Sequence, residues 1–274
     1  MLNETISIYA IIDDLLKAIG HHEDNRRHMS DAEIITTAVI AAMFFKGNLS
    51  NACNYMKDHN LIPDMLEKSR FHRRLHGISM LINDLFHQIG MILKETSDCT
   101  EYLLDSFPVP ICDNIRIFNV KLIKSEEYRG YIASKKRYFY GVRVQLLTTK
   151  SGIPVEFVFM PGSASDVRAL NALPLNLPPG SEVYSDSAYT DYTAEDDLEQ
   201  TSQISLKVMR KKNSKRQDSP WNQYIKQSTR HYIETVFSGI TCVFPKSIHA
   251  VTYEGFLLKV QAFIFAFTLQ KAFL

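Results

Sequence analysis

Cysteine is scarce and scattered in this chain: four residues, at positions 53, 99, 112 and 242, with no CxxC pair among them. That excludes a disulfide framework and a thiolate zinc site, and leaves the cysteines as small core residues. The nine histidines form no HExxH, which disfavours a zinc hydrolase. Net charge is only +1, so overall charge points to no polyanionic partner. The N-terminus carries acids at 4, 13 and 14 and no basic region, so it does not read as a signal peptide. The most apolar stretch, 260–274, contains Gln261 and Gln270 and reads as too short to span a bilayer. The expectation is a cytoplasmic protein.

What is present falls into two halves. Over the first 95 or so residues, apolar positions recur at helical spacing. Ile8, Ile11, Ile12, Leu15, Leu16 and Ile19 form one stripe closed by Gly20. Ser30-Asp-Ala-Glu33 is a capping box opening a strongly apolar helix that stops at Gly47. Further helices are predicted over 49–59 and 77–94, with a basic segment between them. After Thr100 the pattern shifts to short β-branched and aromatic runs. Residues 138–148 and 153–160, joined by Lys150-Ser-Gly152, predict an antiparallel hairpin. Residues 121–137 read as a surface loop. Strands alternate with helices thereafter, and 251–274 is a last, very apolar helix expected on the sheet. The expected architecture is an all-α N-terminal domain, residues 1–97, followed by a mixed α/β domain, residues 98–274.

Two of these strands deliver a carboxylate. Glu101-Tyr-Leu-Leu-Asp105 runs apolar into an acid and then meets Pro108, which is expected to mark the exit. Tyr184-Ser-Asp186 repeats the theme, and a later helix presents Glu234 one turn after Arg230. A buried unpaired carboxylate is costly. Three acids converging at one sheet edge would need cations, and hard oxygen ligands select Mg²⁺ or Mn²⁺. Two such ions can activate a water or a 3′-hydroxyl and stabilise the leaving oxygen of a phosphodiester. Basic tracts suit the same substrate: Arg70, Arg73 and Arg74 in a helix, Lys135, Lys136 and Arg137 before the hairpin, and Arg210, Lys211, Lys212, Lys215 and Arg216 in a polar connection. Arg230 either orients Glu234, contacts phosphate, or is an ordinary helix-surface partner. Asp166 is a rival acid, read as a helix N-cap. Asp113 is read as lying off the strand, and Trp221 as anchoring its loop in preference to packing a flipped base. The basic helical segment is compatible with a helix-turn-helix arrangement.

The sequence resembles bacterial insertion-sequence transposases of the DDE class, most of all insertion sequence family nine-eighty-two. The likeness covers about residues 30–270 and is carried by Leu103-Leu-Asp105-Ser106, the hairpin from Tyr138 to Pro154, Pro161-Gly-Ser-Ala-Ser-Asp166, Tyr184-Ser-Asp186-Ser-Ala-Tyr189, Arg230-His-Tyr-Ile-Glu234-Thr-Val-Phe237, Phe244-Pro-Lys-Ser-Ile-His-Ala250 and Glu254-Gly-Phe-Leu-Leu-Lys259. It implies an RNase H-like core with Asp105 on the first strand, Asp186 on the fourth and Glu234 on a helix as the metal-binding triad. It implies cleavage of transposon ends, joining of 3′-hydroxyls to target DNA, and recognition of terminal inverted repeats by the helical domain, in a dimer or larger assembly on double-stranded DNA. The related Tyr-Arg-Glu-Lys signature is half present: Arg230 and Glu234 match, while Gln227 and Thr241 stand at the tyrosine and lysine positions. A nuclease without joining activity, or a DNA-binding protein with a vestigial triad, remains the alternative.

Overall fold

Apolar residues at helical spacing fold the first 96 residues into α1 (Leu2–Ala18), α2 (Asp31–Phe44), α3 (Leu49–Asp58), α4 (Lys68–Gly77) and α5 (Ser79–Thr96). The computed structural model describes residues 1–96, 100–113, 120–132 and 135–274, so Cys99 and the stretch 114–119 lie outside the described residues. The chain separates into two units: Met1–Gln88 with Cys242–Leu274, and Ile89–Thr241.

In the helical unit, α2 is apolar on nearly every face and is buried from Asp31 to Ala42 except at the half-buried Glu33. The capping box is in place, with the Glu33 N–H donating to Ser30 Oγ at 3.1 Å and the Ser30 N–H to Glu33 Oε2 at 2.7 Å. The last helix, α9 (Tyr253–Phe273), packs on α2 and α4. By length and composition α9 could cross a membrane, contrary to the shorter span read from the sequence, yet most of it is buried inside the protein. Its placement corrects the expected 98–274 domain: α9 is part of the helical unit, and the sheet-bearing unit ends at Thr241. An all-round apolar helix fits any core, and hydrophobicity alone does not say which.

The second unit is built on a six-stranded sheet: β1 (Glu101–Asp113), β2 (Arg129–Ile132), β3 (Arg137–Thr149), β4 (Pro154–Pro161), β5 (Glu182–Ser185) and β6 (Ser205–Val208). β3 is antiparallel to β1, with β4 and β2 sharing its far side, while β1, β5 and β6 run parallel. Helices α6 (Asp166–Ala172), α7 (Tyr192–Ser202) and α8 (Pro220–Cys242) complete it. This is an RNase H-like mixed sheet preceded by a helical region, as the sequence predicts.

One sheet face carries Tyr102, Leu104, Leu147 and Val183, closed by Leu170 and Leu173 near α6 and by Tyr189. On the other, Phe107 meets Phe237 of α8 edge to face at 6.3 Å. The end of α5 lies flush on β4. A Cβ on Gly90 would stand 2.1 Å from the Val155 carbonyl oxygen, so only glycine allows that approach. One turn later Lys94 reaches Glu156 at 2.6 Å in a fully buried ion pair.

Four expectations about the strands are corrected. The strand holding Asp105 does not end there: β1 runs through Pro108 and Pro110 to Asp113, which pairs with Phe139 and so lies on the strand. Prolines two apart lack their N–H groups on the same edge. Pairing with β3 persists across both, so that edge is the one β5 vacates after Leu104. The predicted surface loop 121–137 contains β2. Asp186 therefore follows the fifth strand, where the resemblance implied the fourth.

Candidate metal centre

Strand alternation puts Asp105 on the same face as Phe107, the side covered by α8. In the parallel register Leu104 pairs with Ser185, so Asp186 directly follows the last β5 residue paired with β1, as Asp105 directly follows Leu104. Glu234 precedes Phe237 by three residues, hence lies one turn up α8 from the ring that contacts β1. Asp105, Asp186, Glu234 and Arg230 accordingly line one cavity of about 200 Å³, together with Ser185 and Lys226. The buried Ser185 hydroxyl has no hydrogen-bond partner among the described residues.

Electrostatics mark this as a site short of positive charge. Burial first, and then the neighbouring Asp186 and Asp166, push the Asp105 carboxyl up to about 7, against the opposing Ser106 N–H and Arg143. Asp186 caps the short turn that follows it, accepting from the Ser187 N–H. Lys226 does not supply the missing charge, because its ammonium is held by Asp218 at 2.6 Å and by the Val208 carbonyl at 3.0 Å. Glu234 is half exposed and accepts from Arg230 Nε at 3.3 Å, an (i, i+4) surface pair worth only about 0.3–0.5 kcal/mol. An all-carboxylate donor set around a partly buried acid that is costly to ionise fits a hard divalent cation. Asp105, Asp186 and Glu234 are the residues that would hold it.

The tighter His/Glu/Asp group lies elsewhere. Among the described residues, His21, Glu23 and Asp31 place one ligand atom each within 4.8 Å of one another, a spacing able to hold a metal ion. Asp105, Asp186 and Glu234 do not reach that spacing. Asp31, however, is already engaged by His21 and Arg27, both at 2.9 Å, and by Arg74 at 2.5 Å. Burial raises its carboxyl, but the hydrogen bonds from His21 and Arg74 outweigh this and leave it below the usual carboxylate range. Two arginines on one aspartate make this an ion-pair anchor for α2.

The basic residues divide sharply. Arg74 is spent on Asp31 and on the Met29 carbonyl, while Arg70 and Arg73 on the same helix are exposed. Lys135, Lys136 and Arg137 are exposed beside β3. Arg210, expected to meet phosphate, is instead held, partly buried, in a two-bond pair with Glu195 at 2.7 and 2.5 Å. Arg216 forks onto Asp196 at 2.8 and 2.7 Å, and both guanidiniums flank the Tyr192 ring. The acidic tract 195–199 and the basic tract 207–216, separate in sequence, therefore fasten to each other. Lys211, Lys212 and Lys215 stay exposed. Trp221, expected to anchor its loop, is 69% exposed and stacks on Tyr224 at 6.1 Å.

Asp166 also departs from its expected role. Ser165 caps α6, its Oγ accepting from the Arg168 N–H at 3.3 Å. Asp166 Oδ1 instead receives the Ser106 hydroxyl at 3.0 Å, the Gln145 amide at 2.9 Å and Arg143 at 3.4 Å. A helix-start aspartate after serine gives no sequence signal of this, since its partners lie 21 to 60 residues away.

The RNase H-like sheet thus carries its acids on β1, directly after β5 and on the helix after β6. The family model of the Transposase DDE domain matches residues 96–245, more than half of the chain, and the chain belongs to that family. Neither a curated protein nor a solved structure matches it at a significant level.

Proposed function

We propose that this protein is a DNA transposase of insertion-sequence type, akin to family nine-eighty-two, that cuts transposon ends and joins their 3′-hydroxyls to target DNA. The single observation carrying this reading is that Asp105, Asp186 and Glu234, drawn from three separate elements, line one cavity in a domain of the DDE family. Mg²⁺, with Mn²⁺ as substitute and two ions when DNA is bound, would activate the attacking water or 3′-hydroxyl and stabilise the leaving oxygen. The chain's own part is to hold its carboxylates at that point and to bring the DNA backbone there. Arg230, freed from Glu234 at small cost, is placed at the cavity to meet a phosphate. Exposed Lys211, Lys212 and Lys215, with Lys135, Lys136 and Arg137, supply counter-charge for the duplex, and Arg70 and Arg73 on α4 contact the terminal inverted repeats. Synapsis of two ends calls for a dimer or larger assembly on DNA, acting in the cytoplasm.

The test uses a labelled end substrate in Mg²⁺, with Asp105→Asn, Asp186→Asn and Glu234→Gln. Each should abolish cleavage and strand transfer while DNA binding persists. Retained cleavage in a variant removes that residue from the site. Pre-cleaved ends that are never joined by the unaltered protein would reduce the reading to a nuclease.

A further inference from the structure

The acids of the cavity are tied together from behind. Ser106, directly after Asp105, gives its backbone N–H to Asp105 Oδ1 at 2.7 Å and its hydroxyl to Asp166 at 3.0 Å. Opposite Ser106 in the β1–β3 register sits Gln145, wholly buried, whose amide nitrogen also donates to Asp166. The far end of the same amide accepts from the Tyr189 hydroxyl. Tyr189 is itself buried and closes the turn that begins at Asp186, donating its N–H to the Asp186 carbonyl at 3.1 Å. The polarity of this chain is fixed by chemistry. A carboxylate only accepts, so the Gln145 NH₂ must face Asp166, which leaves the amide oxygen for the tyrosine hydroxyl.

We propose that Asp166 is a positioning residue that sets the separation of Asp105 and Asp186, through Ser106 on one side and through Gln145 and Tyr189 on the other. The inference rests on the reading of Asp105 and Asp186 as metal ligands. Asp166 is not needed to start α6, since Ser165 already caps that helix. A carboxylate only 14% exposed that gathers three donors on one oxygen is instead a fixed point between two backbone segments. Ser106 directly follows Asp105, and Gln145 reaches through Tyr189 the turn that begins at Asp186. Partners that orient ligands in this way commonly change metal affinity by about 10–100-fold when removed.

Mn²⁺ titration of the DNA-free protein by calorimetry tests this. Asp166→Ala should weaken Mn²⁺ binding at least about tenfold. Asp166→Asn, which keeps an oxygen toward Ser106 and Gln145, should recover part of that loss. Tyr189→Phe, which removes one hydroxyl, should weaken binding in the same direction. Added to Asp166→Ala it should cost little more, because both act along one route. A purely structural role would lower the unfolding temperature of the metal-free variants and leave Mn²⁺ affinity unchanged. Unaltered affinity in a folded Asp166→Ala, or in Tyr189→Phe if the alanine variant does not fold, overturns the proposal. Asp105→Asn separates the two readings. If the unaltered protein takes up Mn²⁺ and Asp105→Asn does not, the metal site stands and the Asp166 result decides the positioning role alone. If Asp105→Asn binds as well as the unaltered protein, or neither binds, the metal site falls and the positioning role falls with it.

Discussion

Replacing Asp105 by asparagine should make the metal-free protein more stable at alkaline pH, although it removes a residue the proposed chemistry requires. The folded-state pKa of Asp105 is raised from 3.8 to about 7, chiefly by burial and by Asp186. The folded protein therefore binds this proton more tightly than the unfolded chain does. Stability associated with protonated Asp105 is complete below the unfolded value and is lost as pH climbs through the interval to about 7. About three pH units at 1.36 kcal/mol each give about 4 kcal/mol as an upper bound for the loss at pH 8, and less than about 2 kcal/mol at pH 5. Asparagine keeps the shape and an oxygen for the Ser106 N–H but carries no charge to desolvate. With EDTA present, Asp105→Asn should melt above the parent at pH 8 by up to about 7 °C, and by less at pH 5. Adding Mg²⁺ at pH 8 should then raise the melting temperature of the parent and not that of the variant. Equal or lower stability of the asparagine variant at pH 8, followed by calorimetry, would refute the claim that this carboxylate is held uncompensated.

Other expectations follow from particular contacts. Lys94→Met strips the buried Glu156 of its ammonium partner and should cost about 3–5 kcal/mol in urea unfolding. Gly90→Ala drives a methyl into the Val155 carbonyl and should lower the unfolding midpoint markedly. Gly239→Ala on α8, with nothing within 4 Å of the new Cβ, should instead stabilise by about 0.5–1 kcal/mol. Alanine at Lys211, Lys212 or Lys215 should weaken DNA binding at every sequence and flatten its salt dependence by about one unit of slope each, with the melting temperature unchanged. Arg210→Ala should do the reverse, lowering the melting temperature by stripping the buried Glu195 of its two-bond partner and leaving it only Arg216 at 3.5 Å. Filter binding across a salt series, alongside thermal melts, separates the two.

The acids of the cavity were legible because a carboxylate closing an apolar run is costly and therefore conspicuous, and because Asp186 echoes Asp105. The capping box at Ser30 was legible because both its bonds are local. What escaped the sequence depends on partners far along the chain. Pro108 looks like a terminator until β5 is seen to stop at Leu104, which makes that edge tolerant of proline. Arg210 and Arg216 look like phosphate ligands until acids 15 and 20 residues earlier are folded onto them. Asp166 looks like a cap because the true cap is its immediate neighbour. In each case residue type was read correctly and its partner was not.

The interrupted course of the helical unit has a consequence for how the molecule is made. Its first helices leave the ribosome early, but α9, the helix that packs on α2, emerges only after the whole sheet-bearing unit has been synthesised. Until then α2 lacks a partner for part of its apolar surface, so the N-terminal helices must wait while about 150 residues are translated, for roughly 10–30 s at common elongation rates. The sheet-bearing unit, continuous in sequence, can close first. A helix made after the sheet-bearing unit thus completes the structure begun before it.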